Sequence, residues 1–430
     1  MAPPYVDYAR YRRRVRPVNS DDRPVVGFTM VAHALFHAYE LSIPVFVVVW
    51  LETFTASEAL LGLVVGVGYA AIGLGAVPSG VLSDEYGSDR IVFVALLGMA
   101  VGFGLMSLAP NVVVLALALS VWGTAASLYH PAGLSLLSRR VDQRGTAFAY
   151  HGAAGNVGTV VGPLITSVLL VFLPWRSVAA LFVVPALAGV AVAARLPLGE
   201  LTANNTDSEP PSLAGVRRDT RALFAGGFLV IFGAVLCYGL YYRGVLTFLP
   251  EILSGLPTLD PVTAFGRTVS PGQYVYAALL TVGVGGQYAG GYLTDVVESK
   301  HALVTAFGLL IVGALAFVPA ATAGVVPLLV VCLLLGFAIY VTAPVYQATI
   351  AESVTDDSHG LSYGYTYLGM FGVGALGAPL AGAALSYATT TALFVGLAGV
   401  ATLGGVTSVY LIVRRRREAT AGEDRPQTEN

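Results

Sequence analysis

Gly80-Val-Leu-Ser-Asp84 is followed by Gly291-Tyr-Leu-Thr-Asp295, and the landmarks around the two copies pass in the same order. Pro131 is matched by Pro344, Gly145 by Gly360, and the pair Gly158 and Pro163 by Gly374 and Pro379. The offset grows slowly along the chain, as loops of slightly different length would make it. Two copies of one membrane-embedded unit, related by an axis along the membrane normal, produce such a register. A chain built this way closes a space between its halves, and transport is the first function to consider.

Composition sets the solvent. With 56% hydrophobic residues, 11% charged residues and a mean hydropathy of +0.75, most of the chain belongs in lipid. A spanning helix needs roughly 20 mainly apolar residues. The apolar runs divide into twelve, near 25 to 51, 59 to 82, 90 to 109, 111 to 137, 145 to 173, 177 to 196, 222 to 249, 272 to 295, 301 to 320, 325 to 350, 361 to 386 and 389 to 413. The expected fold is an all-α membrane protein of twelve transmembrane helices in two parallel six-helix pseudo-repeats. The 50 glycines suit helices that pack closely and move against each other. Cys237 and Cys332 both fall inside predicted spans, which supports neither a disulfide framework nor a cysteine metal site.

Basic residues report orientation, because Lys and Arg collect in cytoplasmic loops. Placing both termini inside puts twenty of the 23 Lys and Arg on the cytoplasmic side. Arg176 and Arg267 fall outside, and Arg243 within a span. An odd number of spans would expose either the Arg-rich amino tail or the Arg414 to Arg417 cluster. The expected division is a tail over 1–24, a six-helix bundle over 25–196, a cytoplasmic linker over 197–220, a second bundle over 221–413 and a tail over 414–430. A multi-pass protein of the cell membrane, monomeric, with lipid around it, follows from that reading.

The loop Gly80-Val-Leu-Ser-Asp84-Glu-Tyr-Gly87-Ser-Asp89-Arg90 resembles the signature between the second and third spans of the major facilitator superfamily. Gly80, Asp84, Gly87 and Arg90 match that pattern, while Glu85 stands where the family usually carries a basic residue. Glycine there would permit tight helix-end packing, and Asp84 would cap a helix or pair with an arginine. Gly158-Thr-Val-Val-Gly162-Pro163 looks like the antiporter-associated motif of the same superfamily, with the proline bending the helix. A narrower likeness, confined to the first half, is to the fosmidomycin-resistance type of drug efflux protein. It rests on His33, Tyr39, Gly123, Tyr129-His130-Pro131, Arg144-Gly145, Gly155-Asn156 and Gly162-Pro163. That group would carry acids near His37 and directly after the His-Pro pair, where this chain has His37 and Ala132. The resemblance implies alternating access, with Gly80, Asp84, Gly87, Arg90, Asp295, Gly158, Gly162, Pro163 and Pro379 serving the conformational change.

His33, His37, Glu40 and Pro44 are spaced i, i+4, i+7 and i+11 and share one helix face. Ionisable groups at the bilayer centre are costly and usually face a water-filled cavity, where they handle protons or substrate. Histidine titrates near neutral pH, so a His-His-Glu face suits proton coupling. The same residue types can ligate metals, but three ligands over two turns of one helix make a loose set, and no metal or other cofactor is expected. Arg243 requires a partner, either Glu40 across the cavity or an anionic substrate. His130, His151, Asn156, Gln347, Tyr363 and Tyr367 are candidate substrate contacts.

The sequence argues against other drives. The only lysine, Lys300, is followed by His301, so no phosphate-binding P-loop exists. No enzyme or nucleic-acid motif appears. The expected function is secondary active transport of a small organic solute, as proton-coupled efflux. Proton-coupled uptake of an organic anion and a non-transporting receptor of the same fold are the alternatives.

Overall fold

Backbone N–H and C=O groups in lipid are satisfied only within helices or closed barrels, so apolar runs of this length become helices. A computed structural model describes residues 18–195, 213–225, 227–264, 266–354 and 359–423. The first six spans are α1 (Arg23–Thr53), α2 (Glu58–Tyr86), α3 (Ser88–Ser107), the pair α4 (Val112–Ser127) and α5 (Tyr129–Arg140), α6 (Arg144–Phe172), and the pair α7 (Trp175–Leu181) and α8 (Val183–Ala193). A short helix, α9 (Leu213–Ala225), precedes the second six. These are α10 (Phe228–Leu246) with α11 (Leu249–Ser254), α12 (Pro271–Val296), α13 (Ser299–Ala323), α14 (Val325–Ala351), α15 (His359–Tyr367) with α16 (Gly377–Tyr387), and α17 (Thr390–Glu423). A hairpin of β1 (Val262–Ala264) and β2 (Arg267–Val269) lies between α11 and α12.

Eleven of the twelve spans are apolar enough to cross a bilayer on composition alone. The other is α12, 26 residues long, whose hydropathy is lowered by Gln273, Gln287, Asp295 and four tyrosines. Part of the expected linker is helical: residues 213–220 belong to α9, and 197–212 lie outside the described residues. The carboxyl tail expected from 414 is also helical as far as Glu423. Arg, Glu and Ala are good helix formers, and the next proline is Pro426. Residues 1–17 and 424–430 of the tails lie outside the described residues.

Two prolines shape the spans differently. Pro131 lacks an N–H and clashes with the carbonyl four residues back, at Ser127, where α4 ends. The Leu128 carbonyl at the break accepts from Ser79 Oγ of α2 at 3.0 Å. Pro163, by contrast, leaves α6 unbroken from Arg144 to Phe172. Between α15 and α16 the helix widens to π over Leu368–Val373 and tightens to 3₁₀ over Gly374–Leu376. Pro379 follows that irregular stretch.

Close approach explains Gly158 and Gly162. A Cβ on Gly162 would lie 2.6 Å from the Ala38 carbonyl oxygen, and one on Gly158 would collide with the Ala34 carbonyl. Both therefore seat α6 against the Ala34 and Ala38 side of α1, about 100° round the helix from the face that carries His33, His37 and Glu40. Gly158→Leu is expected to force the helices apart and to cost about 1–3 kcal/mol, read as a lower melting temperature in detergent. Gly145→Leu, where a Cβ meets nothing within 4 Å, is the neutral control.

The signature loop is built differently from the expectation. Gly80 and Gly291 have nothing within 4 Å of a built Cβ, so neither serves tight packing. Gly87 is the constrained glycine, with φ 91° between α2 and α3. Asp84 pairs with Arg139 of α5 on the surface, while Arg90 is exposed. Asp295, the counterpart of Asp84, is exposed and makes no ion pair among the described residues.

Alternating helix directions leave Arg23, Tyr86–Ser88, Arg140–Arg144, Val296–Ser299 and the α14–α15 junction at one end of the bundle, the basic end. At the opposite end the two halves are tied together. Ser386 Oγ donates to Glu58 Oε2 at 2.8 Å and accepts from the Ala59 amide at 2.9 Å. A Cβ on Gly62 would sit 2.6 Å from the Ala378 oxygen, and one on Gly66 2.9 Å from Pro379 Cδ. That places α2 against α16 with almost no space between.

Candidate functional site

A chamber of about 700 Å³ lies between the halves, walled by α1, α5, α6, α10, α12, α14 and the α15 region. Its wide end carries exposed side chains, Gln347 among them, with Phe148 and Tyr363 each 37% exposed. Its floor carries Glu40, paired with Arg243 just behind it, each 1% exposed. The chamber is therefore open toward the basic end and closed toward the other.

The face of α1 runs down one wall as a chain of contacts. His33 Nδ1 lies 2.7 Å from the His151 carbonyl, which can only accept, so this nitrogen carries the proton. His37 Nδ1 lies 3.0 Å from Glu40 Oε2. The other carboxylate oxygen of Glu40 accepts from Arg243 Nη2. A carboxylate paired with a guanidinium is ionised and accepts only, so His37 Nδ1 is the donor there. Both Nδ1 atoms are thereby committed, and the two Nε2 atoms face each other 3.1 Å apart. In the neutral rings these are two opposed lone pairs. One added proton would convert them into a single N–H···N bond.

Neighbouring rings hold that pair in place. His151 stacks on His33 with centroids 3.8 Å apart, and its Nε2 lies 2.9 Å from Tyr129 Oη. Tyr129 Oη in turn donates to the Thr29 carbonyl at 2.7 Å, which leaves His151 Nε2 as a donor to its oxygen. His130 stands edge-on to His33 at 5.2 Å and lies 5.6 Å from the Tyr367 ring across the chamber. Among the described residues, His33, His37 and His130 bring ring nitrogens within 4.8 Å of one another. A tetrahedral zinc at 2.0–2.1 Å from each nitrogen would space them about 3.3 Å apart. The His33 and His37 pair meets that spacing and the whole set does not, while Glu40 is already engaged twice.

Arg243 lies behind the floor as a boxed cation. Its guanidinium carbon lies 3.7 Å from the Tyr69 ring centroid, 5.2 Å from Tyr242 and 5.4 Å from Phe371. Tyr69 comes from the first half and the other two from the second. Tyr69 Oη also donates to the Glu40 backbone carbonyl at 3.4 Å, and Tyr276 Oη to that of Leu41 at 3.5 Å. The ion pair joins the halves at their deepest contact.

The structure brings most of the expected site residues together. Glu40, His33, His37, His130, His151, Asn156, Gln347, Tyr363 and Tyr367 all line the chamber. Arg243 lies behind its floor and meets Glu40, although aligning Pro250 with Pro44 sets it opposite His37. Tyr69, Tyr238 and Tyr242 escape sequence reasoning, because a tyrosine in a span reads equally well as packing, and Tyr129 enters it only as part of a motif. The useful signal is density: α10 carries Tyr238, Tyr241 and Tyr242 within one and a half turns.

Comparison with known proteins adds the family. Residues 29–378 match the model of the Major Facilitator Superfamily. The multi-drug resistance efflux pump PmrA homolog of Lactococcus lactis is 30% identical over 142 residues, 32% of this chain and 35% of that protein. The puromycin resistance protein pur8 of Streptomyces alboniger is 34% identical over 100 residues, 23% of this chain and 20% of its own length. The chain thus matches about a third or less of the length of these relatives. Among solved structures, a mutant of the nucleoside transporter NupG aligns with a TM-score of 0.73 at 13% identity, covering 90% of this chain and 99% of that one. The peptide transporter POT in complex with sulfate gives 0.72 at 15% identity, covering 95% and 99%. At such identities the likeness is one of fold.

Proposed function

The chain belongs to the major facilitator superfamily, and from that premise we propose that it exports small, drug-like organic solutes in exchange for protons. The observation that carries the reading is the unbroken contact chain from the His33 and His37 pair through Glu40 to Arg243, along the wall of a chamber sealed at one end. One proton entering the facing Nε2 atoms adds a charge beside Glu40. That weakens the hold of Glu40 on Arg243, and with it the deepest tie between the halves. Proton binding and the state of the inter-half contact are thereby linked, as exchange requires.

The remaining assignments follow. The basic end is cytoplasmic, both termini lie inside, and the protein sits as a monomer in the cell membrane among lipids. Residues 25–196 rock against 221–413, with the π and 3₁₀ stretch before Pro379 as the compliant element. His130, Asn156, Gln347, Tyr363 and Tyr367 offer hydrogen bonds and flat surfaces to solute, while His151 positions His33. The likeness to efflux and resistance proteins supports a drug-like solute. Uptake of an organic anion is less well served, because Glu40 neutralises Arg243 and aromatic rings cover it.

Puromycin is a suitable probe. Inverted membrane vesicles acidified inside are expected to accumulate it, and a protonophore is expected to abolish the accumulation. Puromycin binding without any gradient-driven movement would instead support a receptor of this fold.

A further inference from the structure

A second opening lies beside the chamber, a groove of about 1220 Å³ between α6 and α12, one helix from each half. It occupies the part of both helices nearest the basic end, from Phe148 to Val161 and from Thr281 to Asp295. Its walls are largely apolar. Val157 is 56% exposed, Tyr288 85% and Tyr292 65%, and in a bilayer such surface meets acyl chains.

The groove is continuous with the chamber. Phe148, Gly152, Asn156 and Gln287 line both, so the passage between them carries two neutral amides, one from α6 and one from α12. The opposite seam, α2 against the π stretch and α16, is shut: a Cβ on Gly73 would collide with the Gly372 backbone, and one on Gly62 would crowd the Ala378 carbonyl. Along the groove the glycines do the reverse. A Cβ built on Gly152, Gly285 or Gly291 meets nothing within 4 Å, and the absent side chains leave the space open.

The geometry points to a lateral entrance. An amphipathic organic solute dissolved in the leaflet at the basic end enters between α6 and α12, keeping its apolar body against the valines. Its hydrogen-bonding head passes Asn156 and Gln287 into the chamber. This inference rests on reading the chamber as a transport site, and it narrows the solute to compounds that partition into membranes.

The test uses Hoechst 33342, which fluoresces when dissolved in the bilayer, and puromycin supplied from water. Wild-type protein in proteoliposomes with a pH gradient is expected to extract the dye. Gly285→Leu/Gly291→Leu, which fills the groove without touching the chamber, is expected to slow dye extraction at least about tenfold and to leave puromycin flux within about twofold. Equal slowing of both probes, or unchanged dye extraction, would overturn the entrance. A second readout does not need transport. In a Cys237→Ala/Cys332→Ala background, bilayer-dissolved dye is expected to slow maleimide labelling of Gly285→Cys and of Gln347→Cys. Labelling of Gly285→Cys that ignores the dye would mean the groove holds only lipid. Labelling protected by dye without gradient-driven flux of either probe would count against export and leave the entrance standing.

Discussion

Arg243→Leu is expected to be the most damaging single change in the protein. It leaves the Glu40 carboxylate in a site where both partners of the pair are 1% exposed, with only His37 beside it. Removing one member of a buried ion pair typically costs about 3–5 kcal/mol, because the remaining charge is neither solvated nor paired. The variant should melt far below wild type in detergent and transport nothing. Glu40→Gln/Arg243→Met removes both charges, and it is expected to regain much of the lost stability while remaining inactive. Arg243→Lys keeps the charge but loses the planar group that lies over Tyr69 at 3.7 Å, so it should fold and work poorly. Melting curves of the three variants check the account. A double variant no more stable than Arg243→Leu would show that the pair is not what the site depends on.

His37→Gln and His33→Gln form the second large effect, and they act on coupling rather than on folding. Each removes one of the Nε2 atoms that face each other at 3.1 Å, while glutamine keeps a side chain able to hydrogen-bond. Gradient-driven accumulation of puromycin is expected to fall by at least about tenfold, a loss of about 1.4 kcal/mol or more in coupling. Solute-for-solute exchange at equal pH on both sides should persist, because it needs no proton. His151→Gln is expected to be milder. Its ring stacks on His33, but the atom that holds His33 Nδ1 is its backbone carbonyl, which the substitution retains. Measuring accumulation and exchange on the same vesicles separates lost coupling from lost protein.

Much of this was legible in the chain. The paired Gly-x-x-x-Asp loops and matched prolines gave the two halves, and the i, i+4, i+7 spacing of His33, His37 and Glu40 put them on one chamber-facing wall. Apolar run length placed most spans to within about four residues; the exceptions are the seventh, expected over 222–249 and found from Phe228 to Ser254, and α17, where helix-forming Arg, Glu and Ala continue past the membrane boundary. Other features depended on contacts between distant segments. No periodicity distinguishes Glu40 from a solute as the partner of Arg243, and that choice became visible only when α10 met α1. Gly80 and Gly158 look alike in sequence, yet one faces open space and the other a backbone carbonyl. Asn156 and Gln287 line the same passage from different halves, and no local pattern carries that. The tyrosines around Arg243 are hidden for the same reason, since each is an ordinary span residue until its neighbours are known.

Binding linkage is reciprocal, so a solute gradient must drive protons if protons drive solute. The direct measurement is therefore proton counterflow: puromycin is placed on one side of proteoliposomes at equal pH, and the lumen pH is followed with a trapped indicator. Wild-type protein is expected to move protons opposite to puromycin, and His33→Gln/His37→Gln to let puromycin pass without a pH change. Puromycin crossing through wild-type protein with no proton movement, or equal counterflow in the variant, would contradict the histidine pair as the coupling site.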